Sequence, residues 1–119
     1  MKQDLQIRFL GMSASESIES LVRTKAGKLD QFCADIVSCR VTIEQTHKHQ
    51  QHGRPFAVRL DLTMPGHELC VDRIENEDVY VALRDAFDGM TRQLEDVVKR
   101  RHDRDVRAAT PSVQEDPGV

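Results

Sequence analysis

No stretch of this 119-residue sequence approaches the roughly 18 consecutive apolar residues of a membrane span. The amino terminus MKQDLQIRF also lacks the apolar core and small-residue cleavage site of a signal peptide, so a cytoplasmic location is expected. Cysteine is scarce: three residues, an odd number without metal-ligand spacing, read as reduced thiols and exclude a disulfide scaffold. Tryptophan is absent and aromatic residues reach only 4%. Missing too are a G-x-S-x-G elbow, a phosphate-cradling glycine loop and an H-E-x-x-H helix, so nucleophilic and metalloprotease chemistry find no support. A chain of this length buries about two-thirds of its unfolded surface and needs neither disulfide nor metal to fold.

Charge is plentiful but nearly balanced, with 17 basic and 20 acidic residues and a net charge of −3. That average does not exclude a polyanionic partner, because a surface field depends on where the charges sit. Five of the basic residues fall in Lys99 to Arg107 (KRRHDRDVR), whereas acids crowd Glu75-Asn76-Glu77-Asp78 and Glu115-Asp116.

Hydrophobic periodicity predicts six elements in the order β-α-β-β-β-α. Leu5, Ile7 and Phe9 alternate with polar residues as in a half-buried strand. Ser13-Ala14-Ser15-Glu16 forms a capping-box pattern with Ser13 as N-cap, and Ile18, Leu21, Val22, Leu29 and Phe32 continue at helical spacing over about 14–33. Val37, Cys39, Val41 and Ile43 predict a second strand. Phe56, Val58, Leu60 and Leu62 predict a third, beyond the polar connection His47 to Arg54. Met64-Pro65-Gly66-His67 is a tight-turn sequence, followed by a shorter strand with Leu69 and Val71 inward. Glu77-Asp78 opens a long second helix whose stripe of Val79, Leu83, Ala86, Phe87, Met90, Leu94, Val97 and Val98 covers five turns. Its helical signal persists to about Ala108. The proline-containing segment 110–119 reads as a disordered tail, leaving one domain at 1–108.

Strands that are apolar on one side only, and two amphipathic helices, predict an α+β two-layer sandwich. A four-stranded mixed sheet carries both helices on one face and leaves the other wet. The first crossover should be parallel and right-handed, the next two connections hairpins. The outward strand residues Arg40, Glu44, Arg59, Asp61, Glu68 and Asp72 should pair across strands.

Candidate chemistry is thin. His47, His49 and His52 crowd one connection and could hold zinc or copper given a further ligand and an ordered loop; a plain polar hairpin is the simpler reading. Strand parity sends Cys39 inward and Cys70 outward, which makes a shared Cys–His site harder to build, and Cys33 reads as a small core residue. Asp61, Asp72 and Glu68 could be an acid–base set, but on an open sheet face they are more simply solvated charges, so no enzymatic activity and no cofactor are expected.

The basic helical surface offers more. Lys25 and Lys28 lie about 60° apart on the first helix, flanked by Arg23, and Lys25 sits at the margin of the apolar stripe, where it must snorkel toward the groove beside the second helix. On the second helix Arg84, Arg92, Lys99, Arg100 and Arg101 line the side expected to be exposed. Cations on a rigid helical platform suit phosphate recognition. The competing reading is five opposite-sign i,i+4 pairs that would solubilise the helix: Arg84–Asp88, Asp88–Arg92, Arg92–Asp96, Glu95–Lys99 and Asp96–Arg100. A regulator or adaptor binding proteins through the wet sheet face is the alternative function.

Two stretches resemble the ribosome hibernation family, that of hibernation-promoting factor and ribosome-associated inhibitor A (protein Y), also described as sigma-54 modulation proteins. One is Val22-Arg23-Thr24-Lys25-Ala26-Gly27-Lys28-Leu29, with two lysines three apart before a leucine. The other is Glu77-Asp78-Val79-Tyr80-Val81-Ala82-Leu83 running to Arg92-Gln93-Leu94, which resembles the family's D-x-Y-x-A-I-D … R-Q-L helix. The likeness covers about residues 4–102. It implies a domain shaped like double-stranded-RNA-binding domains that binds the small ribosomal subunit near the decoding centre and blocks translation sterically during stress or stationary phase. Arg23, Lys25, Lys28, Arg84, Arg92, Lys99, Arg100 and Arg101 would then face ribosomal RNA phosphate, with Asp78 a helix cap and Tyr80 a packed aromatic. The partner implied is ribosomal RNA, with neither membrane nor DNA, and the chain would act as a monomer of a divergent short form without the long forms' dimerising domain. Gly89-Met90 and Glu95-Asp96 depart from the family's lysine-rich pattern, and the acids there would repel phosphate.

Overall fold

A computed structural model of the chain describes residues 1–46 and 55–109, with side chains as far as 102. Its elements are β1 (Gln6–Leu10), α1 (Glu16–Phe32), β2 (Ser38–Gln45), β3 (Phe56–Met64), β4 (His67–Asn76) and α2 (Val79–Ala109). The four strands form one sheet in the order β1-β2-β3-β4, with β1 parallel to β2 and the other pairs antiparallel. This is the expected α+β arrangement. Both helices contribute their apolar stripes to one core with the inward residues of the strands, and the opposite sheet face stays open.

Alternation along the strands fixes which side chains enter that core. Cys39, Val41 and Ile43 of β2 and Val58, Leu60, Leu62 and Met64 of β3 are buried, while Arg40 and Arg59 between them are exposed. From α1 the core receives Ile18, Val22, Ala26 and Leu29, and from α2 Val79, Leu83, Ala86, Phe87, Met90, Leu94 and Val97. Each fully buried leucine or methionine among them contributes about 1.5–3 kcal/mol relative to exposure. Cys33 is buried as expected, but Phe32 is 47% exposed. The chain leaves the helix at Cys33, whose N–H caps back to the Leu29 carbonyl, and the core volume at that end is filled by Cys33 and Ile36.

The start of α1 differs from the capping-box expectation. Ser15, not Ser13, is the N-cap: its backbone is extended and its hydroxyl accepts from the Ile18 N–H at 3.4 Å. Glu16 consequently stands at the first helical position, and with Glu19 it places acidic charge at the positive end of the helix dipole.

The fourth strand is longer than its sequence pattern suggested. Leu60 faces Val71 and Val58 faces Ile74, so Asp72 and Arg73 together oppose Arg59 in a β-bulge. Arg73 takes the left-handed conformation with φ 51°, and both bulge residues are exposed. The extra residue shifts the alternation by one, which brings Ile74 inward and lets Glu75 and Asn76 continue the pairing. The preceding hairpin turns on Pro65 and Gly66, and the φ of 79° at Gly66 is the left-handed geometry that a second turn position after proline requires. Thr46 closes the β2–β3 connection on the Pro55 carbonyl, with its N–H at 3.0 Å and its hydroxyl at 3.2 Å. The candidate metal residues His47, His49 and His52, and the segment from 110 onward, lie outside the described residues. Within the described residues no helix is long and apolar enough to cross a membrane.

Candidate nucleic-acid interface

Two helices running side by side in the same direction build the candidate surface. Their N-terminal ends meet where the Tyr80 hydroxyl hydrogen-bonds Ser17 at 3.2 Å, and their far ends where Cys33 and Phe32 share a depression with Val98 and Arg101. Asp78 caps α2: its carboxylate accepts from the Tyr80 N–H at 2.9 Å, and its own N–H donates to Asn76 Oδ1 at 2.8 Å. The capping role expected for Asp78 therefore holds. Tyr80 is not packed as expected but 47% exposed, because its place on the flank of α2 carries the ring to the rim between the helices.

Between these ends lies a groove of about 310 Å³ walled by Lys25, Lys28, Leu29 and Phe32 of α1 and by Phe87, Asp88 and Thr91 of α2. Lys25 is half-buried and snorkels as its position at the stripe's margin dictates, while Lys28 is exposed. Arg23, expected beside them, lies about 160° from Lys25 around α1, because neighbours two apart on a helix face opposite ways. The lysines and Arg23 do not share a surface.

The cations of α2 diverge similarly. At about 100° per residue, Arg84 sits on the flank facing α1, Arg92 and Lys99 on the outer ridge, and Arg100 on the opposite flank. Arg100 lies near His67 of the β3–β4 hairpin. Arg101, expected on the exposed side, is half-buried on the inner side and binds Asp35 in the α1–β2 connection. That hydrogen bond and the charge behind it hold the Asp35 carboxyl below its ordinary range. The eight candidates thus resolve into a lysine pair at the groove, Arg84 on the α2 flank that faces α1, a two-residue ridge, and three that point elsewhere.

None of the five i,i+4 pairs on α2 closes to ion-pair distance among the described residues. Arg84 turns instead to its neighbour Asp85 at 3.3 Å. Exposed pairs gain little in water and lose side-chain freedom in closing, so spacing alone does not form them. Lys25, Lys28, Arg92, Lys99 and Arg100 consequently hold no ion pair among the described residues.

The open sheet face is the electrostatic opposite. Arg59 binds Asp61 at 3.0 Å and reaches Asp72 across the strands at 3.3 Å. Arg73 binds Glu75 at 2.8 Å and approaches Glu44 at 3.8 Å, while Arg40 donates to Gln6 at 3.1 Å. Burial would raise the Asp61 carboxyl, but hydrogen bonds from Arg59 and Cys70 and the nearby arginines outweigh it and hold the group below its usual range. Asp61, Asp72, Glu44 and Glu75 are thus all engaged by arginines. Sequence reasoning missed Phe32 and Asp88 as surface residues of the groove. The available signal was Phe32 lying on the lysine side of the α1 wheel, one turn past Lys28.

A family model described as "Sigma 54 modulation protein / S30EA ribosomal protein" matches residues 5–102. The fold is similar to that of a ribosomal subunit interface protein from Coxiella burnetii, with a TM-score of 0.69 and 15% identity over 80% of this chain and 97% of that one. It is also similar to the N-terminal domain of protein Y from Thermus thermophilus, with a TM-score of 0.66 and 18% identity over 80% of this chain and 99% of the other. No curated protein sequence matches the chain.

Proposed function

Because the chain belongs to the sigma 54 modulation protein / S30EA ribosomal protein family, whose members are ribosome-associated, we propose that it is a cytoplasmic, non-catalytic inhibitor of translation. It binds the small ribosomal subunit near the decoding centre and messenger channel, and excludes the RNAs that would occupy that space during stress or stationary phase. Binding uses the helical face. The observation that carries this reading is the lysine pair: Lys25 and Lys28 stand together at the groove on a rigid helix and hold no ion pair among the described residues. Cations so placed meet phosphate without first breaking an intramolecular bond. Arg84 from the flank of α2, and Arg92 and Lys99 from the ridge, extend the contact. Arg100 is placed to reach a neighbouring phosphate from the hairpin side; Arg23 and Arg101 contribute least, the former on a different surface and the latter engaged with Asp35.

Co-sedimentation with purified small subunits across a salt series tests the reading. Wild type should pellet and weaken as salt rises, since each neutralised phosphate contributes about 0.7–0.9 to the logarithmic salt slope. Lys25→Glu/Lys28→Glu should bind more weakly at every salt concentration, with the slope reduced by about two contacts. Wild type remaining in the supernatant at low salt would overturn the proposal.

A further inference from the structure

We propose that the α1–α2 groove is a pocket for one unpaired RNA nucleobase, stacked on Phe32 with its phosphates on Lys25 and Lys28 and its polar edge toward Asp88. The inference rests on the RNA-binding reading above and gives that same surface a preference for single-stranded over duplex RNA.

The first observation is an unneeded aromatic in the open. Phe32 is one of only five aromatic residues in the chain, yet it is 47% exposed while Cys33 and Ile36 fill the core beside it. A phenyl ring left in water at the edge of a groove presents a π-face, and bases stack on such faces whatever their sequence. Duplex RNA cannot use it, because paired bases are stacked on one another and show a protein mostly phosphate and 2′-hydroxyl.

The second observation is the distribution of charge around that ring. Lys28 precedes Phe32 by one turn and Lys25 by two, so cations and ring share one edge of α1. The opposite wall carries Asp88, which holds no ion pair among the described residues, and Thr91, whose hydroxyl is engaged with the Phe87 carbonyl at 2.8 Å. A groove meant only for phosphate would not carry a carboxylate opposite its lysines, since repulsion would weaken the contact. The arrangement instead sorts a nucleotide by its parts. The phosphodiester lies along the lysine edge, and the base turns its N–H donors to Asp88. Guanine is the best match, because its N1–H and N2–H2 can meet both carboxylate oxygens. The groove volume of about 310 Å³ admits one base with room for its sugar at the rim.

The test titrates the full chain into a single-stranded oligoribonucleotide of eight guanine-containing residues, a uracil-only strand and an RNA duplex of equal length. It compares wild type, Phe32→Ala, Phe32→Trp, Asp88→Asn and Lys25→Glu/Lys28→Glu, with helicity checked by circular dichroism. Wild type should prefer the guanine strand over both alternatives. Phe32→Ala should lose on the order of tenfold in single-strand affinity with its salt slope unchanged, and Phe32→Trp should keep or exceed wild-type affinity. Asp88→Asn should narrow the gap between guanine and uracil strands. A Phe32→Ala variant that binds as wild type does, or a wild type that prefers duplex, would overturn the pocket. If wild type binds no oligoribonucleotide yet still pellets with small subunits, the pocket fails and the ribosome reading survives. Failure to bind either removes both.

Discussion

The three cysteines show how position, rather than residue type, sets chemistry. Cys39 faces Leu62 in the core, and burial together with the nearby Asp61 charge pushes its thiol up to about 11. Cys70 stands opposite Asp61 on the open face; partial burial raises its thiol first, and a hydrogen bond to Asp61 raises it further. A thiol reacts as its thiolate, so both are slowed, but only Cys70 is accessible. With an aromatic disulfide reagent at pH 8, one thiol should titrate in the folded protein and three after unfolding. Asp61→Asn should speed the folded-state reaction by removing the negative charge that disfavours the thiolate. Equal reactivity of Cys39 and Cys70 in the native protein would contradict the placement of the two strands' faces. Cys39 inward and Cys70 outward follow from strand parity alone, whereas the Cys70–Asp61 hydrogen bond depends on the register between β3 and β4, which no local pattern encodes.

Element boundaries respond to single residues through backbone preferences. Gly27 lies in the middle of α1, and a Cβ there would meet nothing within 4 Å. Gly27→Ala should therefore stabilise the protein by about 0.5–1 kcal/mol in urea unfolding, the ordinary gain of alanine over glycine in a helix. Gly66→Ala has the same open space but a φ of 79°, so it should destabilise by about 1 kcal/mol. If both substitutions moved stability in the same direction, the backbone argument would fail. The extent of β4 was the element least legible in the sequence. A bulge at Asp72–Arg73 breaks the period of two, and a phase change in an alternating pattern looks locally like a strand's end. The start of α1 was similarly ambiguous, since Ser13 and Ser15 both precede acidic residues and only the extended backbone at Ser15 distinguishes the cap.

At the scale of the molecule the two faces differ in how their charges are spent. Among the described residues, the arginines of the sheet face are bound to acids or to Gln6, except Arg8, and the lysines of the α1–α2 face hold no ion pair. Reversing charge on either face changes the net charge equally, which separates a local contact from the overall field. Arg8→Glu/Arg40→Glu should leave subunit binding within about twofold of wild type, because both residues lie on the sheet face and long-range terms are screened beyond about 8–10 Å. Lys25→Glu/Lys28→Glu should lower binding by more than tenfold, the scale expected when two phosphate contacts become repulsions. Equal losses in the two variants would favour general electrostatic attraction, and loss only in the sheet-face pair would favour a partner docked on the sheet.

Local sequence determined the number and order of elements, the face each strand and helix buries, the Pro65-Gly66 turn and the cap at Asp78. These depend on periodicity and backbone preference within a few residues, and the motifs in α1 and α2 were sufficient to mark a resemblance to one family. Tertiary structure decided the rest, because a surface is assembled from elements far apart in the chain. It turned Arg101 inward to Asp35, left the spaced acid–base pairs of α2 open and brought Asp88 opposite Phe32. Helical spacing says which residues share an edge. Only the packing of one helix against another says what stands across from it.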